Sequence, residues 1–438
     1  NLKLLCTCKN NKTTFGSVVY LKNKHLNINK GEVLFIKADF VKVKDKSLHG
    51  EFSYADYLNK KDIYYEAKAI EYWQIEKLKN TSWLNQKQYQ ISDWINTRLD
   101  LYFSKEQSAT IKALCFGDKS FMDKAYLEQF RKAGLMHIIA VSGMHVGIIQ
   151  ITLLLFLRLI FGRSKTSVRF QEGTTLILLI IFAWICQFTP SVVRSVFMFG
   201  SLYLAYFSKR LILPLHILIL SGFIVLLIQP LQLFDLGFQF SYLALSSIVF
   251  FQPKLTQLYY SKYKSVNYIK DLSLLSISAQ GFVFPVTIFY FHKFPLYFIL
   301  SGLIAIPLAT IILPLGLMLL GLDSIASDII LYPLVLFLDT ILSFLNYIIL
   351  AIQNLPASSI NGIWLEWYEM TLLYLIIGLV SLFIIIKNKS LIKYSTFLFA
   401  LFVISKGVEN YKISNQLKVV IYDNYKSSLI DIWDQKTL

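Results

Sequence analysis

Cysteine is scarce in this chain of 438 residues, and two common catalytic motifs are missing. Cys6 and Cys8 are one residue apart, which suits neither a zinc knuckle nor a mutual disulfide. Cys115 and Cys186 lie in apolar surroundings, which is typical of packing residues. No G-x-x-x-x-G-K-[ST] loop and no H-E-x-x-H pair occurs. We therefore predict no metal site, no cofactor and no enzymatic activity.

Acidic side chains are also few, at 27 Asp+Glu against 43 Lys+Arg, which gives a formal net charge of +16. Residues 1–134 carry 23 Lys+Arg and 15 Asp+Glu, so about half of the excess lies there. A basic surface predicts an acidic partner, such as nucleic acid or anionic lipid headgroups. An A/T-rich genome, which favours lysine codons, is the alternative explanation.

Long polar stretches are missing between residues 135 and 406, where apolar blocks follow one another. Blocks of about 20 residues match the roughly 30 Å hydrocarbon core of a bilayer. The sequence therefore predicts a polytopic α-helical membrane protein. The ten predicted spans are 136–161, 174–189, 191–207, 211–229, 231–251, 272–290, 294–320, 329–354, 371–387 and 391–406.

The region before the spans is polar. Segments 15–20, 33–43 and 63–75 are rich in β-branched and aromatic residues, and the last alternates as a half-buried strand does. Short strands with a basic surface predict a small β-barrel domain over residues 1–80. Capping residues then predict two amphipathic helices, which form a collar over residues 81–134 in front of the membrane domain, 135–406.

Positive charge in the loops predicts the orientation of the chain. Lysine and arginine cluster after the first, third, fifth and ninth spans, and these loops are cytoplasmic if the N-terminal domain is outside. The loop after the seventh span is an exception, because it carries Asp323 and Asp328. The pattern places the N-terminal domain and the C-terminal tail outside a cytoplasmic membrane.

The segment from His137 to His145 brings polar groups to membrane depth, where they are costly. If the segment is helical, the two histidines lie about 80° apart and share a broad face. Ser142 and Gly143 between them predict a helix break or the close approach of another backbone. Ordinary helix packing is the alternative interpretation.

Arg194 lies one turn into a helix that begins at Pro190. A cation at this place is suited to hold a passing phosphate. The alternative is that its long side chain reaches the outer headgroups from a span end.

Asp235 and Gln239 lie one helical turn apart in the outer half of the fifth span. Hydrogen bonding between helices is the alternative to a functional role for this pair. The span 294–320 contains Pro307 and Pro314 and is predicted to be discontinuous, and Gln280 brings a similar polar position to the preceding span. A kinked packing helix is the alternative there.

These motifs together resemble the ComEC family of bacterial competence channels. The resemblance covers nearly the whole chain, and upstream it extends to the OB-fold domain of that family. The matching segments are 113–118, 130, 134–145, 190–195, 235–241 and 289–295, with 31–33 and 50–58 in the N-terminal domain. The family often has spans before the OB-fold, and many members end in a metallo-β-lactamase-like domain. We expect residues 407–438 to be the start of such a domain, outside the membrane and truncated.

The resemblance implies a channel component that moves single-stranded DNA across the bacterial cytoplasmic membrane during natural transformation. It implies as partners single-stranded DNA, an external DNA receptor protein, a cytoplasmic ATP-driven helicase or translocase, the lipid bilayer and a second copy of the chain. The candidates for the DNA path are His137, Ser142, Gly143, His145, Arg194, Asp235, Gln239 and Gln280. The candidates for DNA binding in the OB-like domain are Lys37, Phe40, Lys42, Lys44 and Lys46.

Two other functions remain open from the residues alone. A membrane glycan ligase or polymerase requires a large external loop with acid and base groups, and the connection 355–370 offers only Glu366 and Glu369. An ion-coupled transporter predicts paired carboxylates inside the membrane, and among these spans we identify only Asp339 as deep.

Overall fold

The computed structural model describes most of the chain, which is largely helical behind a small N-terminal sheet. The described ranges are 2–9, 14–21, 34–43, 54–59, 63–74, 83–162, 164–207, 213–257, 259–414, 418–424 and 427–433. Two compact units divide the chain, one of Asn1–Ala279 with Pro295–Ile360 and one of Gln280–Phe294 with Asn361–Leu438.

The N-terminal sheet has four described strands in the order β1-β2-β4-β3. They are β1 (Leu2–Lys9), β2 (Thr14–Leu21), β3 (Leu34–Lys42) and β4 (Ile63–Gln74), with helix α1 (Tyr54–Asn59) before the last. The three strands predicted from the sequence are confirmed. The described strands form an open sheet rather than the predicted barrel, because β1 and β3 remain as edges and closure requires every edge to be paired.

Three helices lead from the sheet to the apolar region: α2 (Trp83–Tyr102), α3 (Lys105–Phe116) and α4 (Lys124–Lys132). The predicted caps are confirmed. Ser104 and Gln107 form a capping box, and Gly117 ends α3 with a φ of 75°. The Asp123 side chain accepts a hydrogen bond from the Tyr126 N–H at the start of α4.

Ten helices follow, one for each predicted span. They are α5 (Gly143–Phe161), α6 (Lys165–Ile185), α7 (Pro190–Phe207), α8 (Pro214–Ile228), α9 (Leu236–Thr256), α10 (Lys264–Phe291), α11 (Phe298–Asp323), α12 (Asp328–Gln353), α13 (Trp367–Ile386) and α14 (Lys389–Ser414). A 3-10 helix, Pro230–Phe234, precedes α9, and the short strands β5 (Lys293–Pro295) and β6 (Ser359–Asn361) flank α11 and α12.

Seven of these helices are long and apolar enough to cross a bilayer within the described residues, which makes the chain a polytopic helical membrane protein. The exceptions are α7, α8 and α9. The 15 residues of α8 reach only about 22 Å. The count of ten spans therefore stays a prediction.

Two features of the predicted spans are wrong, the start of the first span and the break in the seventh. Residues 136–142 are not helical, because Gly134, with a φ of 75°, ends the preceding turn and Ser142 caps a new helix at Gly143. The predicted break in 294–320 is also absent, since α11 continues through Pro307 and Pro314 as one helix. Gly302 lets α11 pack closely against α10, because a Cβ atom on Gly302 would lie 2.8 Å from Ser276 Oγ.

The larger of two apolar clusters among the described residues of the first unit has members from α2 to α7 and from α11 and α12. The smaller one lies in the N-terminal domain and consists of Val18, Leu58 and Ile63. In the second unit, α13 and α14 form an antiparallel pair, and β7 (Lys418–Asn424) pairs with β8 (Ser427–Trp433). Glu369, which is fully buried, lies 2.6 Å from Lys406 Nζ and ties the start of α13 to the end of α14. The His292 ring stacks on Trp364 with centroids 3.9 Å apart.

Candidate functional site

The N-terminal ends of α5, α7 and α9 meet in the first unit, and they carry most of the motif residues selected from the sequence. A Cβ atom on Gly143 would lie 3.6 Å from Ser195 Oγ, so α5 touches α7 there. Arg194 Nη2 donates to the Gly237 carbonyl at 2.9 Å, which joins α7 to α9. We call this junction the three-helix site.

The contact between α5 and α7 continues along both helices, which run parallel, and we call this line of contacts the seam. A Cβ atom on Gly147 would lie 3.3 Å from Phe199 Cζ, and Gln150 Nε2 donates to Tyr203 Oη at 3.0 Å. The residue numbers of the contacting positions increase together on both helices, so α5 and α7 run in the same direction. Glycines four residues apart allow this approach, as in membrane helix pairs generally. The contact at Gly143 itself is with a side chain at ordinary van der Waals distance. Of the two predictions for Ser142 and Gly143, the structure therefore shows the helix break, since α5 begins there.

The first turn of α5 is capped by Ser142 and His145. The Ser142 N–H donates to His145 Nδ1 at 3.2 Å, and Ser142 Oγ lies 3.0 Å from the same atom. Because Nδ1 accepts from the backbone, the fitting neutral tautomer carries its proton on Nε2. That nitrogen is buried and makes no hydrogen bond in the described part of the chain, although the Ile138 backbone lies beside the ring.

His137 is not part of this arrangement. It precedes α5 in the turn that links α4 to α5, its side chain is exposed, and its Nδ1 lies 3.0 Å from the Gly134 carbonyl oxygen. The prediction that His137 and His145 share a helix face is therefore wrong. The face requires a helix across 137–145, and the Ser142 cap starts the helix only after His137.

Arg194 is only 1 % exposed. Besides Gly237, its Nη2 donates to Ser191 Oγ at 3.1 Å, and the guanidinium lies 5.7 Å and 5.8 Å from the ring centres of Phe238 and Tyr242. Its Nε and Nη1 are buried and have no hydrogen-bond partner among the described residues. Arg194 thus neither reaches the headgroups nor lies open to a strand. It holds α7 against α9 with two donors left over.

Asp235 and Gln239 shape the start of α9. Asp235 Oδ1 accepts from the Phe238 N–H at 3.0 Å and caps the helix. Gln239 Nε2 donates to the Leu233 carbonyl at 3.1 Å, within the preceding 3-10 helix. Their observed hydrogen bonds are local rather than between helices. Gln280 belongs to the second unit, where its Oε1 is buried without a partner in the described ranges.

The sequence analysis missed a second polar cluster further along the seam. Glu172 on α6 is 9 % exposed and interacts electrostatically with Arg158 on α5 and with Tyr203. Its Oε2 has no hydrogen-bond partner among the described residues. Glu172 was overlooked because the predicted span began at 174, whereas α6 begins at Lys165. The carboxylate of Glu172, next to an apolar block, is the sequence feature that could have identified this cluster.

The DNA-binding candidates of the N-terminal domain are only partly described. Lys37, Phe40 and Lys42 lie on the edge strand β3, and Lys37 and Lys42 are exposed. Lys44 and Lys46 lie outside the described residues. Across the strand pair, Lys37 is opposite Glu71 and Asp39 is opposite Lys68, so charges alternate on this part of the sheet. Within the described ranges, no group of His, Cys, Asp or Glu is arranged to hold a metal ion.

Comparison with known proteins gives matches over the region that contains the three-helix site. A family model described as "Competence protein" matches residues 114–389. ComE operon protein 3 of Bacillus subtilis (strain 168) is 26 % identical over 285 residues, which cover 63 % of this chain and 34 % of that protein. The match therefore spans about a third of the length of that relative. No solved structure matches.

Proposed function

Because the chain belongs to the competence protein family, we propose that it is a membrane channel component that carries single-stranded DNA across the bacterial cytoplasmic membrane during natural transformation. The observation that carries this proposal is the three-helix site. Motif segments more than 40 residues apart meet there around a buried arginine, Arg194, whose Nη2 reaches Gly237 43 residues away.

The electrostatics of the three-helix site suit a polyanion. Each helix N-terminus carries the equivalent of about half a positive charge and exposes backbone N–H groups. Three such ends and the Arg194 guanidinium together attract phosphate, and the opposing charge is that of Asp235, which caps α9 and interacts electrostatically with Arg194. A phosphate that replaces the Gly237 carbonyl would also give Nε and Nη1 of Arg194 the acceptors that they lack.

We propose that the N-terminal domain and the C-terminal tail lie outside, as the loop charges indicate. The sheet then receives DNA from an external receptor protein, and Lys37, Phe40, Lys42, Lys44 and Lys46 are its candidate contacts. An OB-like role for this sheet is part of the proposal, with lysines for phosphates and Phe40 for stacking. The energy comes from a separate cytoplasmic ATP-driven translocase, and no catalytic step is assigned to this chain.

The test is a transformation assay with a strain that lacks this protein. DNA bound at the cell surface and DNA protected inside the cell are measured separately with a labelled duplex. We expect normal surface binding and no internal single strand in the deletion strain, and we expect the gene to restore internal DNA to the wild-type level. Internal DNA at the wild-type level in the deletion strain would contradict the proposal.

Glu172 favours the ion-coupled transporter as a second candidate, because it is a buried carboxylate that the sequence analysis did not identify. The transporter hypothesis predicted paired carboxylates, however, and the charged group that interacts with Glu172 is Arg158. A carboxylate that faces an arginine is suited to a structural contact, so we keep the channel as the proposed function.

A further inference from the structure

Helix α3 is buried on every side although its sequence is polar. All nine residues from Gln107 to Cys115 are buried, and nine consecutive residues cover the whole circumference of a helix. Gln107, Ser108, Thr110 and Lys112 are among them. The 12 residues of α3 reach only about 18 Å, too short to cross a bilayer. It is therefore a short polar helix inside the bundle.

The segment around α3 lies along the full length of α11, the helix with the largest buried share among the candidate spans. At the start of α11, a Cβ atom on Gly134 would lie 3.1 Å from Pro295. At its end, Asp323 accepts from Tyr102 Oη at 2.5 Å and pairs with Arg98 Nε at 3.0 Å. Because α11 is about 39 Å long, the segment from α2 to Gly134 extends through the thickness that α11 crosses.

The polar groups of α3 are matched by side chains rather than by apolar packing. Gln107 Nε2 donates to Ser343 Oγ on α12 at 3.0 Å. Thr110 Oγ1 lies 2.7 Å from Tyr126 Oη, which in turn donates to Asn346 Oδ1 at 2.6 Å. Lys112 Nζ lies 2.7 Å from Asp100 Oδ1 and 4.1 Å from the centre of the Phe121 ring.

We propose that α3 is a plug that fills the DNA passage in the closed state and moves away from α11 when DNA passes. This inference rests on the proposed function. Removing one helix leaves a space about 10 Å across, the diameter of a helix with its side chains. Ser343 and Asn346 on α12 then remain as polar lining on one side of the emptied space, opposite the apolar face of α11. A charged strand in this space therefore has its polar contacts on the α12 side. Elements that do not span the bilayer are tolerated at membrane depth where protein buries them or where they line a water-filled cavity, and a plug alternates between these two situations.

A disulfide tests whether α3 must move. A Cβ atom at Gly316 would lie 3.3 Å from Cys115 Sγ, close to the distance of about 3 Å between a Cβ atom and the far sulfur of a disulfide. Gly316→Cys is made in a full-length chain in which Cys6, Cys8 and Cys186 are serine. Crosslinking is followed by the loss of maleimide-reactive thiols after denaturation.

We expect DNA uptake to fall in proportion to the crosslinked fraction and to return after reduction. The crosslinking experiment has two matched controls. One is Gly316→Ser, which adds similar bulk, and the other is Gly316→Cys with Cys115→Ser, which cannot crosslink. Both should take up DNA under oxidation. Wild-type uptake by the crosslinked protein would overturn the plug, and so would failure of the two cysteines to crosslink. If even the chain with its native cysteines does not restore uptake in a deletion strain, the proposed function itself fails.

Discussion

Replacing Arg194 separates two roles that the three-helix site permits, a clamp between helices and a contact for phosphate. Arg194→Met keeps much of the length and packing but removes the charge and all donors. Arg194→Lys keeps the charge but loses the planar group that faces Phe238 and Tyr242. If the cation contacts DNA, the Met variant should lose uptake and the Lys variant should retain part of it.

The stability cost follows from the contacts. Hydrogen bonds from a charged donor contribute about 1.5–3 kcal/mol, and a desolvated cation–π contact contributes about 2 kcal/mol. Against this, removing the charge also removes two buried nitrogens without partners, Nε and Nη1, each of which costs about 1–3 kcal/mol. Arg194 makes two such hydrogen bonds, so the midpoints of these ranges give a net loss of about 2–3 kcal/mol for Arg194→Met. The thermal midpoint of the purified protein in detergent measures this difference.

Uptake of labelled DNA is then compared at equal amounts of protein in the membrane. Tyr242→Phe is the matched control, because it keeps the ring near Arg194 and loses only the hydroxyl contact with Ser221, 3.2 Å away. The control should transform normally. If the Met variant takes up DNA as wild type does, the charge of Arg194 has no part in transport. If both Met and Lys variants lose uptake and unfold early, Arg194 is a clamp only.

Three further predictions concern other parts of the chain. Gly147→Leu should destabilise the protein by about 1–3 kcal/mol, because Phe199 leaves no room on the seam, and an unchanged thermal midpoint would contradict that packing. Glu172→Gln should change stability by less than about 1 kcal/mol, since the desolvation of a charge without a hydrogen bond at Oε2 opposes its attraction to Arg158; a marked drop in the thermal midpoint would show that the charge itself is needed. Lys37→Gln should lower the slope of log affinity for single-stranded DNA against log salt by about 0.7 in the full-length chain in nanodiscs, and an unchanged slope would remove Lys37 from the interface.

The full-length chain is the right material for DNA binding, because the N-terminal domain cannot be cut off at residue 134 without damage. Ile111, Leu114 and Phe130 are fully buried in the same apolar cluster as residues of α11 and α12. Cutting there would expose them and mix binding with aggregation.

The sequence predicted the helices well because hydropathy acts locally, and it predicted their ends less well. The span assigned to 136–161 begins at Gly143, since one capping residue, Ser142, outweighs the five apolar residues among 136–141. The burial of α3 was out of reach, because its polar composition indicates a surface helix. Its partners, such as Ser343 for Gln107, are 236 positions away. In the same way, nothing near Arg194 in the sequence indicates that the Gly237 carbonyl is its acceptor.

Two independent features of the first unit indicate a closed state of the proposed channel. At the three-helix site, Arg194 is buried with donors unmatched, so a phosphate can reach it only if α7 and α9 separate. In the bundle interior, α3 occupies the space between α2, α11 and α12 with hydrogen bonds that water or a strand could replace. The polar contacts at both places exchange one polar partner for another when they open. The cost of moving α3 therefore comes from its apolar side chains in the core, Ile111 and Leu114 among them. A channel that must stay shut to ions and still admit a polyanion needs this combination: a tight closed state whose opening is favoured by the charge of its substrate. An excess of short oligonucleotide should therefore increase the labelling of a cysteine placed at Ser343 by a polar maleimide, and unchanged labelling would contradict opening driven by DNA.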